Sequence, residues 1–263
     1  GQLRPRRINI SFPTLRTIAA MVIRDMSTSN GRAPGGFIWV LVEPIAGILL
    51  LTLLMRGAFR EPPLGTNFGI FYASGILPFF LFTDLQAKVA TAIMAGRQLL
   101  SYPRVTLFDA IAARAIVSTV TEVLISYAVF TTILLLYDTR TILDMPRIVL
   151  AYLMAIALGV GFGTLNCYLW AAHPLWRSVW SLLSRPLLLI SGIMLLPQAI
   201  PQPYRDWLWW NPLLHVVSEM HAAFYYGYSP DEISPLYVFG LALGAGVLGM
   251  LMLRRYYRDL LEL

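Results

Sequence analysis

The chain has 263 residues, of which 57% are hydrophobic and only 13% charged, against roughly 25% charged in soluble domains. A soluble globule of this length could not bury so much apolar surface, so the excess is expected to face lipid. The low charge excludes a disordered chain, and the single cysteine, Cys167, excludes an intramolecular disulfide framework.

The cations are almost all arginine. The net charge is +6, and Lys88 is the one lysine among twenty cations. The arginines stand at the ends of apolar runs rather than in a basic stripe, so we expect no nucleic-acid partner. Membrane topology explains the positive balance better.

The N-terminal segment, residues 1–35, is polar and rich in arginine. It lacks the short apolar core of a secretory signal, so we expect no cleaved leader. Apolar residues within it recur on one helix face and predict an amphipathic interface helix on the cytoplasmic leaflet. The alternative is a soluble helix packed against a loop. The residues of this face are Leu15, Ile18, Val22 and Met26.

Six apolar runs follow, each close to the ~20 residues that cross a bilayer as a helix. The fold class is therefore an all-α polytopic membrane protein with six transmembrane helices. Pro78 and the Arg185-Pro186 pair leave the second and fifth boundaries least defined. The predicted spans are 36–56, 68–84, 109–136, 148–170, 182–200 and 236–253.

Arginine placement orients these spans. With both termini cytoplasmic, fifteen of the twenty cations lie on the cytoplasmic side, which the positive-inside rule favours. The prediction is a multi-pass membrane protein with both termini on the cytoplasmic side. The five cations left outside are Arg56, Arg60, Arg140, Arg147 and Arg205.

Residues 201–235 are aromatic and apolar, yet they contain several polar side chains. A seventh span here would move the C-terminal arginines outside, so we predict interfacial or re-entrant helices on the outer face before the last span. His215, Glu219 and His221 form the best metal-like cluster, but on a helix His221 points about 160° away from Glu219. We therefore predict no metal site, and polar side chains that are satisfied by headgroups and water.

Motifs for nucleotide chemistry are missing from the sequence. A P-loop needs Gly-Lys followed by Ser or Thr, and Lys88 stands between Ala87 and Val89. No serine-hydrolase elbow or zinc-protease motif is present either. This chain is therefore expected to bind no cofactor of its own, and any ATP must be hydrolysed by another polypeptide.

Two carboxylates fall inside predicted spans, where a charge costs roughly 2.5–3.5 kcal/mol. Glu43 precedes Pro44 and either lines a polar route or bonds a neighbouring helix. For Glu122 a structural role is favoured, since Ser118, Thr121 and Ser126 offer partners nearby.

The cytoplasmic stretch 84–104 predicts a short projecting helix that could seat in a groove of a soluble partner. Asp84 is its expected N-cap and Tyr102-Pro103 its end. The alternative is a connector that lies on the leaflet. The candidate residues for contact with such a partner, which we call the coupling residues, are Lys88, Ile93, Met94, Arg97, Leu99 and Tyr102.

Several segments, in order along nearly the whole chain, resemble the inner-membrane permeases of capsular-polysaccharide export, a branch of the ABC-2-type transporters. The stretch from Leu99 to Pro103 separates this branch from the O-antigen and teichoic-acid permeases. The matching segments are Ile23-Arg24-Asp25-Met26, Gly35-Gly36-Phe37-Ile38-Trp39 with Glu43-Pro44, Gly75-Ile76-Leu77-Pro78-Phe79-Phe80, Leu99-Leu100-Ser101-Tyr102-Pro103-Arg104-Val105 with Asp109 and Ala113-Arg114, and Asn211-Pro212-Leu213-Leu214-His215 with Tyr226-Gly227-Tyr228.

The resemblance implies a homodimeric permease, paired with two copies of a separate ABC ATPase that holds ATP and magnesium. It also implies a lipid-linked capsular polysaccharide as substrate, with periplasmic and outer-membrane export proteins as further partners. Residues 36–263 would form the transmembrane domain. Within the chain, 14–28 would be the interface helix, 84–104 the coupling segment and 197–228 the outer re-entrant region.

A polysaccharide path needs polar groups and flat aromatic rings. Candidates are Phe37, Trp39, Glu43 and Tyr72, although Trp39 suits a lipid-facing aromatic belt equally well. Two rival functions stay open. One is an ABC-2 permease for O-antigen, teichoic acid or a drug; the other is a membrane enzyme that acts on lipid-linked sugars through the His215–His221 cluster.

Overall fold

The computed structural model describes residues 18–23, 36–95, 106–139, 141–230 and 233–262, with side chains from Val42 in the first long helix to Tyr256 in the last. This part of the chain is helical and contains no strand. The helices are α1 (Gly36–Ala58), α2 (Phe68–Ala90), α3 (Leu107–Leu136), α4 (Met145–Ala172), α5 (Pro174–Ile190), a 3-10 turn (Pro197–Ala199), α6 (Tyr204–Leu208), α7 (Pro212–Phe224) and α8 (Pro235–Glu262).

Four of these helices are long and apolar enough to cross a membrane: α2, α3, α4 and the stretch Pro235–Tyr256 of α8. They coincide with the second, third, fourth and sixth predicted spans. Helix α1 is 23 residues long and contains Pro44. The chain is thus an all-helical, apolar protein, as the composition indicates.

Side chains at the helix starts explain where the long helices begin. Asn67 accepts hydrogen bonds from the first turn of α2, and Asp144 accepts one from Arg147 N–H at the start of α4. Thr106 and Asp109 form a reciprocal capping box at the start of α3. Asp84 was expected to cap a helix but lies inside α2, which runs on to Ala90 because nothing before Thr91 interrupts its apolar pattern.

Helix α2 lies at the centre of the molecule, packed against α1, α3, α4 and α7, while α4 also packs along α8. Small residues allow the closest approaches. A Cβ on Gly161 would lie 2.2 Å from the carbonyl oxygen of Ala242, and one on Gly159 would lie 2.8 Å from Leu85. Glycine at these α4 positions therefore lets α8 and α2 pack tightly within one chain.

The long helices run in alternating directions, so their termini gather at two ends. Arg114 near the start of α3 bonds Lys88 O near the end of α2, and Trp176 of α5 bonds Asn166 near the end of α4. We call this the Lys88 end. The opposite Phe68 end holds the start of α2 and α7, where Asp144 N–H bonds Ala223 O.

Helix α5 differs from the predicted fifth span 182–200, because it begins at Pro174 and ends at Ile190. Proline suits the first turn of a helix, where its missing N–H costs nothing. Gly192, just past the end, takes φ +79°, a left-handed conformation that favours glycine and stops the helix. The helix therefore begins eight residues before the predicted span and ends ten residues before the span does.

Residues 18–23 are helical, and their apolar side faces α3. Met21 is buried against Ala110 and Ala113, with Ile18 and Val22 packed beside it. Ala19, the residue after Ile18, is exposed. Leu15 and Met26 lie outside the described residues. The described part of the predicted interface helix therefore packs on the Lys88 end of the protein.

Candidate functional site

The helical conformation is interrupted at Thr91, at the Lys88 end of α2, and we call this break the joint. Helix α2 ends at Ala90, Thr91 follows with φ −91° and ψ 5°, and residues 92–95 form a further helical turn. Thr91 N–H donates to Ala87 O at 3.2 Å, and Thr91 Oγ1 donates to Lys88 O at 3.0 Å. This joint lies within the predicted coupling segment 84–104.

Arg114 of α3 holds this joint from outside α2. Its Nη1 donates to Lys88 O at 3.3 Å and to Thr91 Oγ1 at 3.1 Å. A cation at a helix C-terminus is favourable, since it meets the negative end of the helix dipole and the last free carbonyls. Arg114 therefore connects α3 to the end of α2. Sequence analysis missed this role, because the contacts join residues 23 and 26 positions apart.

Asp84 and Lys88 form the second contact between α2 and α3. Lys88 Nζ lies 2.7 Å from Asp84 Oδ2, and Ser118 Oγ of α3 donates to the same oxygen at 2.7 Å. Both charged side chains are about one-third exposed, so the ion pair contributes at most ~1 kcal/mol. The carboxylate thus serves as a bridge between helices.

The two neighbouring coupling candidates, Ile93 and Met94, point in different directions. Ile93 is 2% exposed and packs with an internal cluster that includes Val89 and Leu253, so it cannot contact a partner protein. Met94 is 48% exposed. The prediction that Ile93 faces a partner is therefore wrong, because the turn after Thr91 directs it inward. Arg97, Leu99 and Tyr102 lie outside the described residues.

The candidate residues of the transport path also differ in whether they are buried or exposed. Tyr72 is 1% exposed and packs between Phe68 and Phe71, with ring centroids 6.3 and 5.2 Å away. Its ring is part of the core, so the prediction that it lines a path is wrong. Glu43 is exposed on α1. Phe37 and Trp39 belong to the first turn of α1, whose side chains lie outside the description.

Glu122 of α3 is buried, but its expected local partners are engaged elsewhere. Ser118 donates to Asp84, and Thr121 donates to Val117 O at 2.8 Å. The charged groups that act on Glu122 are Asp84, Lys88 and Glu43, from α2 and α1. Glu122 therefore lies within electrostatic range of charged side chains on α1 and α2.

The histidines of α7 are buried and bonded to backbone. His215 Nε2 donates to Trp209 O at 2.8 Å, while its Nδ1 accepts from Ser234 N–H at 3.2 Å, which defines the neutral Nε2–H tautomer. His221 bonds Phe71 O at 3.3 Å and stacks on the Phe71 ring at 4.6 Å. The expectation of headgroup and water partners is wrong, because α7 is buried from Leu213 to Phe224.

Burial also shifts the pKa values of the titratable side chains of α7. It lowers the pKa of His221 to about 4, so the ring is neutral near pH 7. Desolvation raises the pKa of Glu219, and the charge of Arg147 opposes this shift. Within the part of the chain that the structure describes, no three His, Cys, Asp or Glu side chains are grouped to hold a metal ion.

Comparison with known proteins agrees with this architecture. The family described as ABC-2 type transporter matches residues 16–225. The chain belongs to this family. ABC-2 members are membrane permeases, so the chain is a permease subunit rather than an enzyme.

Curated relatives of this ABC-2 permease align along nearly its full length. It is 28% identical to the polysialic acid transport protein KpsM of Escherichia coli, over 90% of this chain and 92% of the relative. It is 26% identical to the capsule polysaccharide export inner-membrane protein CtrC of Neisseria meningitidis serogroup A, over 92% and 91%. The corresponding protein BexB of Haemophilus influenzae is 25% identical, also over 92% and 91%.

Proposed function

We propose that this chain is the transmembrane subunit of an ATP-driven exporter that moves lipid-linked capsular polysaccharide across the bacterial inner membrane. The supporting observation is that relatives named for capsule polysaccharide export or polysialic acid transport align with over nine-tenths of their own length. Since polysialic acid is an acidic polymer, the proposed cargo class includes acidic polysaccharides.

The energy source in this proposal is a separate protein. The sequence lacks a P-loop lysine, so two copies of an ABC ATPase would bind ATP and magnesium and pair with a homodimer of this chain. Periplasmic and outer-membrane export proteins would receive the polymer. Copurification of the tagged chain with a P-loop ATPase tests this composition; a chain that exports polymer without such a subunit contradicts it.

The proposed topology has six spans, which are the four long apolar helices together with α1 and α5. It places both termini and the Lys88 end in the cytoplasm, and the region 197–228 on the outer face as re-entrant helices. The distribution of described cations supports this orientation, since Lys88, Arg114, Arg177, Arg254 and Arg255 all lie at or near the Lys88 end.

The joint after α2 is the proposed contact with the ATPase. Met94 offers an exposed apolar side chain there, and Arg97, Leu99 and Tyr102 follow in the same segment. Arg114 would pass movement of the joint to α3. Phe37, Trp39 and Glu43, on the first turns of α1, are the proposed path residues.

Met94 provides the direct test of coupling. Met94→Asp places a charge in an apolar contact and is expected to reduce polymer-dependent ATPase activity and surface capsule at least tenfold, while membrane abundance stays unchanged. Met94→Leu, which keeps the apolar contact, is the matched control and should export normally. Wild-type export by Met94→Asp would contradict the assignment of this segment.

A further inference from the structure

A stripe of polar residues runs along α5. No residue of this helix is buried by the rest of the chain. Arg177, Ser181 and Arg185 follow one another at intervals of four residues, which places them on one helix face. Ser178 lies beside them, and together with Leu182 these residues line an open groove. We call Arg177, Ser178, Ser181 and Arg185 the α5 stripe.

The stripe reaches deep into the transmembrane region. Trp180 Nε1 donates to Gln86 Oε1 of α2 at 3.0 Å, and Ile193 lies against Gly75 of the same helix. Arg185 falls between Trp180 and Ile193 in the sequence, so it lies between the levels of Gln86 and Gly75 of α2. The sequence analysis counted Arg185 among the cytoplasmic cations; these contacts instead place it, exposed, alongside α2 rather than beyond its end.

The charges of the stripe are not neutralised within the described part of the chain. No described carboxylate lies within ion-pair distance of Arg177 or Arg185, although the Arg177 guanidinium lies 5.3 Å from the Trp170 ring. A guanidinium at this depth is unfavourable against lipid and must face a water-filled space or an anion.

A second copy of the chain is a poor cover for this face. A two-fold interface apposes the same patch from both subunits, so Arg177 and Arg185 would meet their own counterparts and repel them. An acidic ligand fits the stripe better. Arginine binds carboxylates through two parallel hydrogen bonds, and the serines add neutral donors or acceptors.

We propose that the α5 stripe lines the transport path and binds carboxylate groups of the polysaccharide as the polymer passes. This inference rests on the proposed export function and names the chemical class of cargo that the path takes. The exposed side chains provide contacts that a moving polymer can exchange one after another, since solvent screening keeps each of them weak.

Thiol labelling tests whether the stripe faces water and carries a positive potential. In the complex with its ATPase, in phosphatidylcholine vesicles, Ser181→Cys is treated with an anionic and a cationic methanethiosulfonate. We expect the anionic reagent to react faster by roughly tenfold. The buried native Cys167, replaced by Ser, supplies the background, and Val179→Cys on another face of α5 should react slowly with both reagents.

Charge removal sharpens this test. Arg177→Gln with Arg185→Gln should bring the two labelling rates close to each other, whereas Arg60→Gln, in the exposed loop before α2, should leave the difference intact. Two results overturn the proposal: no labelling of Ser181→Cys, or equal rates in the presence of both arginines. Export by the Ser181→Cys complex is measured separately, so failure of the stripe is distinguishable from failure of the exporter.

The ligand is tested by protection. The probe is the lipid-linked polysaccharide extracted from an export-deficient host strain, before and after its carboxylates are reduced to alcohols. We expect the untreated polymer to slow labelling of Ser181→Cys at least threefold and the reduced polymer to have little effect. Equal protection by both polymers, no protection by either, or equal protection by phosphatidylglycerol in the vesicles would overturn carboxylate binding.

Discussion

The two ends of α2 are built in different ways. At the Phe68 end, α2 packs on a helix that is buried on all sides, and the two histidines of that helix bond to backbone, as His221 does to Phe71 O. At the Lys88 end, α2 stops at a joint held by a partly exposed ion pair and by Arg114. Buried and satisfied contacts resist movement, whereas exposed charged contacts exchange at little cost. The contacts at the Lys88 end are therefore the less costly ones to break.

The largest expected effect is at Ile93, a buried side chain of the joint. Ile93→Asp places a carboxylate in an internal apolar cluster, which should cost about 3 kcal/mol or more and remove most of the protein from the membrane. Membrane abundance and the thermal midpoint in detergent measure this loss. Ile93→Val, with a cost of about 1 kcal/mol, is the control. If Ile93→Asp accumulates normally and only export fails, the joint is not anchored as described.

The next effect concerns the Phe68 end and depends on pH. The folded-state pKa of His221, about 4, lies below its ordinary value of 6.5, so the unfolded chain binds more protons between these values. The stabilising contribution is therefore complete above pH 6.5 and is lost as the pH falls toward 4. Between about pH 7 and pH 5 the loss is about 2 kcal/mol.

Thermal midpoints in detergent at the two pH values check this prediction. His221→Gln keeps a donor for Phe71 O but does not titrate, so its midpoint should depend less on pH than that of the wild type. An identical pH dependence in both proteins would mean that His221 is not the titrating group.

The smallest effect on stability is expected at Arg114. Arg114→Gln shortens the side chain and removes the charge that holds Lys88 O and Thr91 Oγ1, at a cost of about 1 kcal/mol. If the Lys88 end moves as a unit with α3, ATPase activity in this variant should no longer respond to polymer, while membrane abundance stays near normal. Arg114→Lys, which keeps the charge, should recover part of the response. Loss of abundance in step with loss of coupling would indicate a purely structural contact.

The sequence was enough to predict most of the helical architecture. Apolar runs of about twenty residues located α2, α3, α4 and α8, since a run of that length is itself the signal of a bilayer-crossing helix. The sequence was a less reliable guide to where the helices begin and end. Helix α2 continues past Asp84, and α5 starts early, at Pro174. Both bounds depend on where caps and turns form, and several nearby positions were compatible with a cap or a turn.

The candidate site was predicted only in outline. The segment after α2 was singled out as a break in the membrane pattern, but helical spacing alone did not tell buried Ile93 from exposed Met94. Tyr72 was placed in a path because aromatic rings suit sugars, yet a ring in a crowded helix interface serves the core equally well. Arg114 carried no local signal, because its partners stand on another helix.

The sequence by itself determined that this protein is an all-helical membrane chain of low charge without a P-loop lysine, because hydrophobic content, run length and motif spacing are local properties. Only the tertiary structure decided which polar side chains face inward and which face outward. His221 meets Phe71 across 150 residues, and Trp180 meets Gln86 across 94, so the depth of the α5 stripe depends on long-range packing. No periodicity records such contacts, since they arise from the relative placement of helices distant in the chain.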